Sequence, residues 1–331
     1  MRKRLRIIAA LALGLSAAGS TQTSYLAPRH AANPSPLLVS GTPAEIALRA
    51  DAGTQIERGR SAVGELEEHR RLARALATLA PQRAGVVDAY VLSIALDSDP
   101  VFGREARAAG EVLGRRYDAL GRTLVLAGSD GAGPSTLPRG SPNSFAVALA
   151  RIAEVMDRRE DVLVLYTTSH GAPFGLYYHD ADSGYGAISP NRLRAMLDEL
   201  GLSNRLLILS ACYSGIFVPR LQSETTAIVT AAAADRTSFG CAAENDWTFF
   251  GDAMINHALR KPQSLGAAFG EASRLVADWE RRIRARSSQP QVAMGAGAAR
   301  WLNALERRMP ATATPPSGRP ALVEGRGGGG R

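Results

Sequence analysis

The sequence predicts an α/β fold, a three-layer α/β/α sandwich around a mostly parallel sheet, and three observations predict it. The runs Val162-Leu163-Val164-Leu165-Tyr166 and Leu206-Leu207-Ile208-Leu209-Ser210 are continuously apolar, as strands buried on both faces are, whereas a half-exposed strand alternates. Such runs alternate along the chain with stretches of helical periodicity, which is the order of parallel strands joined by crossover helices. Two of the runs also end in a reactive side chain: Thr167-Thr168-Ser169-His170-Gly171 follows the first, and Ala211-Cys212-Tyr213-Ser214-Gly215 the second. Ligands of open α/β sheets bind beyond the carboxyl ends of the strands, so His170 and Cys212 are expected to meet over one substrate.

The elements follow in order. Arg2, Lys3, Arg4 and Arg6 precede the apolar run 7–15 and the small residues Ser16-Ala17-Ala18-Gly19-Ser20. A basic region, a short apolar core and a small-residue exit make a secretory signal over residues 1–19; the run is short for a membrane span, and an uncleaved anchor is the alternative. No cysteine follows it, which closes the bacterial lipoprotein route, so a periplasmic or secreted protein is expected. Residues 20–43, with Pro28, Pro34, Pro36 and Pro43, read as a flexible lead-in. Residues 44–80 read as a charged helical segment, with Leu66, Leu72, Leu76 and Leu79 near helical spacing.

The main domain is expected over 81–309. It opens with a strand at 86–94, a helix at 101–120 and a short strand at 123–127. A Gly/Pro/Ser loop to Ser141 precedes a helix at 144–158 and the strand ending at His170. A hairpin-like Gly/Asp/Tyr stretch and a helix at 190–200 come next, with Pro190 at the first turn, where a missing N–H costs nothing. The strand ending at Cys212, a strand at 226–231, and helices at 246–259 and 264–286 complete it. The tail 310–331, with Pro315-Pro316 and Gly327–Gly330, is expected to be disordered.

Composition narrows the function. The formal charge is +8, but four of the basic residues sit in the first six positions, and Lys3 and Lys261 are the only lysines. The cluster Arg281, Arg282, Arg284 and Arg286 falls at a predicted helix end, where it complements the dipole. No aromatic residues interleave with it, so nucleic acid is not an expected partner. Two cysteines cannot make a disulfide framework; one Cys212–Cys241 bridge is the structural alternative to a reactive Cys212.

The chemistry follows from residue type. A thiol is only slightly ionised at neutral pH and needs a base or a cation to become a useful nucleophile. A histidine supplies both and can protonate a leaving amine. Glycine beside it lets backbone approach closely, so the Gly171 and Cys212 amides are the expected oxyanion donors. No carboxylate is placed by sequence alone to orient His170. Cofactor and metal are not called for: His179, in Tyr178-His179-Asp180-Ala181-Asp182, lacks ligand spacing and reads as a loop residue, and His257 as a packing or surface residue.

At these residues the chain resembles the legumain-like cysteine peptidases of the caspase clan, bacterial exported members above all. The apolar strand ending in His-Gly, the later one ending in Ala-Cys-x-Ser-Gly, then Thr230-Ala231-Ala232, Ser238-Phe239-Gly240-Cys241 and Phe250-Gly251-Asp252 carry the likeness, over about 85–295. It implies a caspase-like sandwich and peptide-bond hydrolysis through a thioester, with His170 as the catalytic histidine and Cys212 as the nucleophile. It further implies that Ser238, Asp252 and Arg104 bind the substrate residue before the scissile bond. Phe102 stands where the family has an asparagine. Transamidation, or a degenerate domain that only binds a partner, are the alternatives. An acid at a helix start is also explained by the dipole alone, which competes with the pocket role of Asp252; Arg104 competes as a solvated helix residue.

Overall fold

The computed structural model describes residue 38 and residues 40–128 and 135–322. The expected signal and most of the lead-in fall outside these residues. The central sheet contains β2 (Ala89–Ala95), β3 (Thr123–Leu126), β4 (Val162–Thr168), β8 (Arg205–Ser210), β9 (Thr226–Thr230) and β10 (Gln291–Met294). Their order is β10-β9-β8-β4-β2-β3, parallel except for β10, which runs antiparallel to β9.

The continuous apolar runs are explained by the two layers they feed. Ala89, Val91, Val162, Val164, Tyr166, Leu206, Ile208 and Val229 face one core. Tyr90, Leu92, Leu163, Leu165, Leu207, Leu209 and Ile228, the alternate residues, face the other. The first core is closed by α3 (Pro100–Arg116), α8 (Leu265–Arg282) and α9 (Ala298–Glu306), through Leu113, Ala272, Val276 and Trp301. The second is closed by α4 (Pro142–Val155) and α5 (Pro190–Glu199), through Phe145, Leu149, Leu193 and Leu197. A fully buried Leu or Phe is worth roughly 1.5–3 kcal/mol in removal from water, so both layers anchor the strands firmly. The expected three-layer α/β/α sandwich is the observed fold.

Three expectations need correction. Residues 44–80 are not all helix: β1 (Gln55–Glu57) separates α1 (Pro43–Asp51) from α2 (Ala62–Ala77). Thr42 and Glu45 close a capping box at the start of α1, and β1 pairs antiparallel with Gly184, Tyr185 and Gly186 at the edge of a second, four-stranded sheet. That sheet also holds β5 (Gly171–Ala172), β6 (Gly175–Asp180) and β7 (Gly184–Ile188). Short strands such as β1 and β10 form because a neighbour offers an edge, a cue absent from local propensity. His179 therefore lies on β6, not in a loop.

The tail is the third. Residues 310–322 pack along the domain: the Trp247 indole and Asn256 amide donate to the Ser317 carbonyl, and the Ala321 N–H donates to Asp252. Proline-rich composition lowers the entropy that docking must overcome, so it does not by itself mean disorder. Residues 323–331 fall outside the described residues.

Candidate active site

β2 is followed by β3 on one side of it and by β4 on the other, so the chain reverses its winding between β2 and β4. In open α/β sheets the ligand crevice lies at that reversal, beyond the carboxyl ends. Asp97, Ser98 and Asp99 leave β2 there, Ser169 and His170 leave β4, and Ala211 and Cys212 leave the adjacent β8. Thr168 and Ser210 are register partners, so His170 and Cys212 each stand two residues beyond one paired rung.

The histidine end is rich in acid. His170 Nε2 lies 3.1 Å from Asp99 Oδ2, a pairing in which the imidazolium N–H donates. Asp99 is the N-cap of α3, yet its side chain makes no cap hydrogen bond. Forgoing a cap costs about 1 kcal/mol, which marks the carboxylate as engaged elsewhere. Phe102 meets the imidazole edge-on at 5.0 Å between centroids, and Cys241 acts electrostatically on the ring. Burial opposes the imidazolium, but the Asp99 bond, Cys241 and the Asp97 charge outweigh it, and His170 is pushed up to about 11. The backbone is fixed too: Ser169 N–H donates to Ser210, and the His170 carbonyl accepts from Tyr177.

The cysteine end holds backbone donors and hydroxyls. Ser238 N–H donates to Cys212 Sγ at 3.2 Å, and the Ser238 hydroxyl lies 3.6 Å from the sulfur. Tyr213 follows at φ 57°, a left-handed conformation uncommon for a non-glycine residue, which turns the chain sharply after the thiol. Its N–H donates to the Arg236 carbonyl. Gly171 joins the two ends: a Cβ there would sit 2.0 Å from the Cys212 carbonyl oxygen, so only glycine permits this approach. Gly215 is required likewise, with a Cβ 2.5 Å from the Ala234 nitrogen. Both cysteines are free thiols, not a disulfide.

The structure thus brings together His170, Gly171, Cys212 and Ser238. It does not bring Asp252 to them. Asp252 is fully buried, and its oxygens accept from Asn256 and from the Ala321 N–H of the tail. Arg104 is half-buried and engaged: it pairs with Asp246 at 2.8 Å and donates to the carbonyls of Ala243 and Asn245. It braces the loop that carries Ser238 and Cys241. His257 packs edge-on to Trp279 and faces Asp252 at 3.5 Å.

Sequence reasoning missed Asp99. The signal was present as Asp97-Ser98-Asp99-Pro100 at the end of a buried strand, but an Asp before a helix-starting Pro reads as an ordinary cap. Asp97, Asp99 and His170 offer ligand atoms within 4.8 Å of one another, a spacing a metal ion could bridge. The Asp99–His170 bond already uses that geometry. A cavity of about 490 Å³ opens beside Asp97 and His179, lined by Arg60, Glu68 and Arg139 of the amino-terminal segment and its neighbours. Cys212 does not border it and lies beyond the carboxyl end of β8, an interior strand.

Comparison with known proteins places these residues in context. Residues 143–294 match the Peptidase C13 family, a span that includes His170, Cys212 and Ser238 but neither Asp99 nor Arg104. No curated protein matches the chain. Among solved structures, caspase-1 from Spodoptera frugiperda is similar at 13% identity and TM-score 0.42, covering 66% of this chain and 93% of that one. No helix of the described residues is long and apolar enough to cross a membrane.

Proposed function

We propose, for a chain that carries a Peptidase C13 domain (the legumain family of the caspase clan), a cysteine endopeptidase acting through a thioester on Cys212, with His170 as acid and base. The family supports cysteine peptidase or transamidase chemistry; hydrolysis is our reading of the outcome. One observation carries it: Gly171 presses its backbone against Cys212, one residue from an imidazole paired with Asp99.

The steps follow from the residues. The Cys212 thiolate attacks the scissile carbonyl carbon, and the C–S bond forms as the carbonyl π pair moves onto oxygen. The Gly171 and Cys212 amides receive that oxyanion. Collapse breaks the C–N bond, and the His170 imidazolium gives its proton to the leaving amine. The neutral imidazole then takes a proton from water as it attacks the thioester, and the acid leaves with Cys212 freed. Asp99 keeps the ring oriented and its cationic form favoured. In the resting arrangement the sulfur is held by Ser238 and the imidazole by Asp99, and such catalytic contacts often tighten only when substrate binds.

Ser238 touches the nucleophile, which supports its role in reading the residue before the cut. The substrate is a peptide or protein, and the signal-like segment 1–19 supports export as the setting. Transamidation is separated by products. The reduced protein is given a peptide with and without a small primary amine, and masses are read. Free carboxyl termini in both cases support hydrolysis; amine adducts as the main product would replace it with transfer.

A further inference from the structure

We propose that Glu105 is a positioning residue for the His170–Cys212 pair: one buried carboxylate that sets the spacing of both strand ends and of the loop facing them. The inference rests on the peptidase reading of that pair. Glu105, on the first turns of α3, has no exposed surface. Its Oε1 accepts from the Tyr166 hydroxyl at 2.6 Å, the Thr168 hydroxyl at 2.7 Å and the Ser210 hydroxyl at 3.1 Å. Its Oε2 accepts from the Thr248 N–H at 2.6 Å.

The positions of these donors give the group its reach. Thr168 and Ser210 are the last register partners of β4 and β8, and each stands two residues before His170 or Cys212. The carboxylate therefore holds the last paired rung from which the chain departs toward both reacting residues. Thr248 closes the loop that contains Ser238 and Cys241, and Ser210 also meets the Thr248 hydroxyl at 3.2 Å. The neighbouring Arg104 grips the same loop at Ala243, Asn245 and Asp246. Space for the carboxylate is reserved by Gly251, where a Cβ would lie 2.2 Å from Oε2.

All four partners are donors, which an ionised carboxylate satisfies and an amide does not. Burial pushes the Glu105 carboxyl up, and the bonds from Tyr166, Thr248 and Thr168 work against that. A buried acid is costly to keep, and an apolar residue would fill the same space more cheaply. Its retention here fits a demand for fixed geometry, since a displacement of about 1 Å at a reacting group can cost 10²-fold in rate.

Glu105→Gln, Thr168→Val and Ser210→Ala test this in the full chain. For each, the melting temperature, kcat and KM are measured, the kinetics well below melting, together with the rate of Cys212 alkylation by iodoacetamide against pH. The expected result for Glu105→Gln is a loss of kcat of about 10–10²-fold with a shifted alkylation profile. Ser210→Ala and Thr168→Val, which each remove one donor, should lose less and keep the fold. Kcat within twofold of wild type and superimposable alkylation profiles, in protein shown to be folded, would overturn the proposal. If Glu105→Gln does not fold, the two hydroxyl variants decide by the same criteria. If the wild type cleaves no peptide, the peptidase reading fails separately, and the alkylation profiles still judge Glu105.

Discussion

The carboxyl ends of β4 and β8 lie side by side, share a register and are built from opposite materials. The β4 end places Asp99 against His170 and Asp97 close by, and holds the imidazole in its charged form. The β8 end surrounds Cys212 with the Ser238 amide and hydroxyl and a left-handed turn at Tyr213. Formal charge is concentrated on the acid–base side, while the nucleophile is held by dipoles and tight backbone. The difference teaches that the proton is stored at one strand end and the geometry is fixed at the other. Gly171 and the buried carboxylate of Glu105 connect the two.

The largest effect should come from breaking the histidine end outright. His170→Ala should cost about 10²–10⁴-fold in kcat/KM, the usual worth of a positioned acid–base group, measured with the protein's best peptide. Gly171→Ala should follow, at about 10²-fold, because its Cβ would force the Cys212 backbone away. A companion loss of about 1–3 kcal/mol in denaturant unfolding is expected, as for other overpacked sites. Wild-type activity in Gly171→Ala would mean that the two strand ends do not work as one unit.

Asp99→Asn sharpens the comparison on the histidine side. His170 is raised from the ordinary imidazole range to about 11, chiefly by Asp99 once burial is overcome. Its proton should therefore persist through neutral pH in the wild type, as followed by the imidazole resonances in NMR. In Asp99→Asn it should be lost at clearly lower pH, with kcat down by about 10²-fold. The same pairing links to stability. A histidine with a raised native pKa stabilises fully below its unfolded value near 6.5 and loses that contribution as pH climbs through about 11. The stability advantage of wild type over Asp99→Asn should accordingly shrink across that alkaline window. An unchanged His170 titration in Asp99→Asn would assign the shift elsewhere.

The smallest effect is expected at Cys241. It raises the His170 imidazole less than Asp99 does, so Cys241→Ser should change kcat by only a few-fold and move the titration slightly. Complete loss of activity there would give the second thiol a chemical role that this account denies it.

Much of this was legible in the sequence because burial writes itself into composition. Four strands fed two cores and appeared as unbroken apolar runs, and His170 and Cys212 were found because they terminate two of them. What was hidden depended on neighbours distant in sequence. Asp99 looks like a helix cap until His170 is seen across the gap. Glu105 looks like a solvent-facing helix residue until Tyr166, Thr168 and Ser210 converge on it. Asp252 matched a motif position, but its partners, Asn256 and a docked tail, could not be inferred from spacing. β1 and β10 exist because exposed edges accept them, and nothing in their few residues announces that.

The central claim is that Cys212 is the nucleophile of a peptidase, and one comparison tests it most directly. Reduced wild type and Cys212→Ala are each incubated with a mixed peptide library, and the products are read by mass spectrometry. The account predicts cleavage by the wild type alone, with a consistent residue before each cut. Equal cleavage by Cys212→Ala would contradict it.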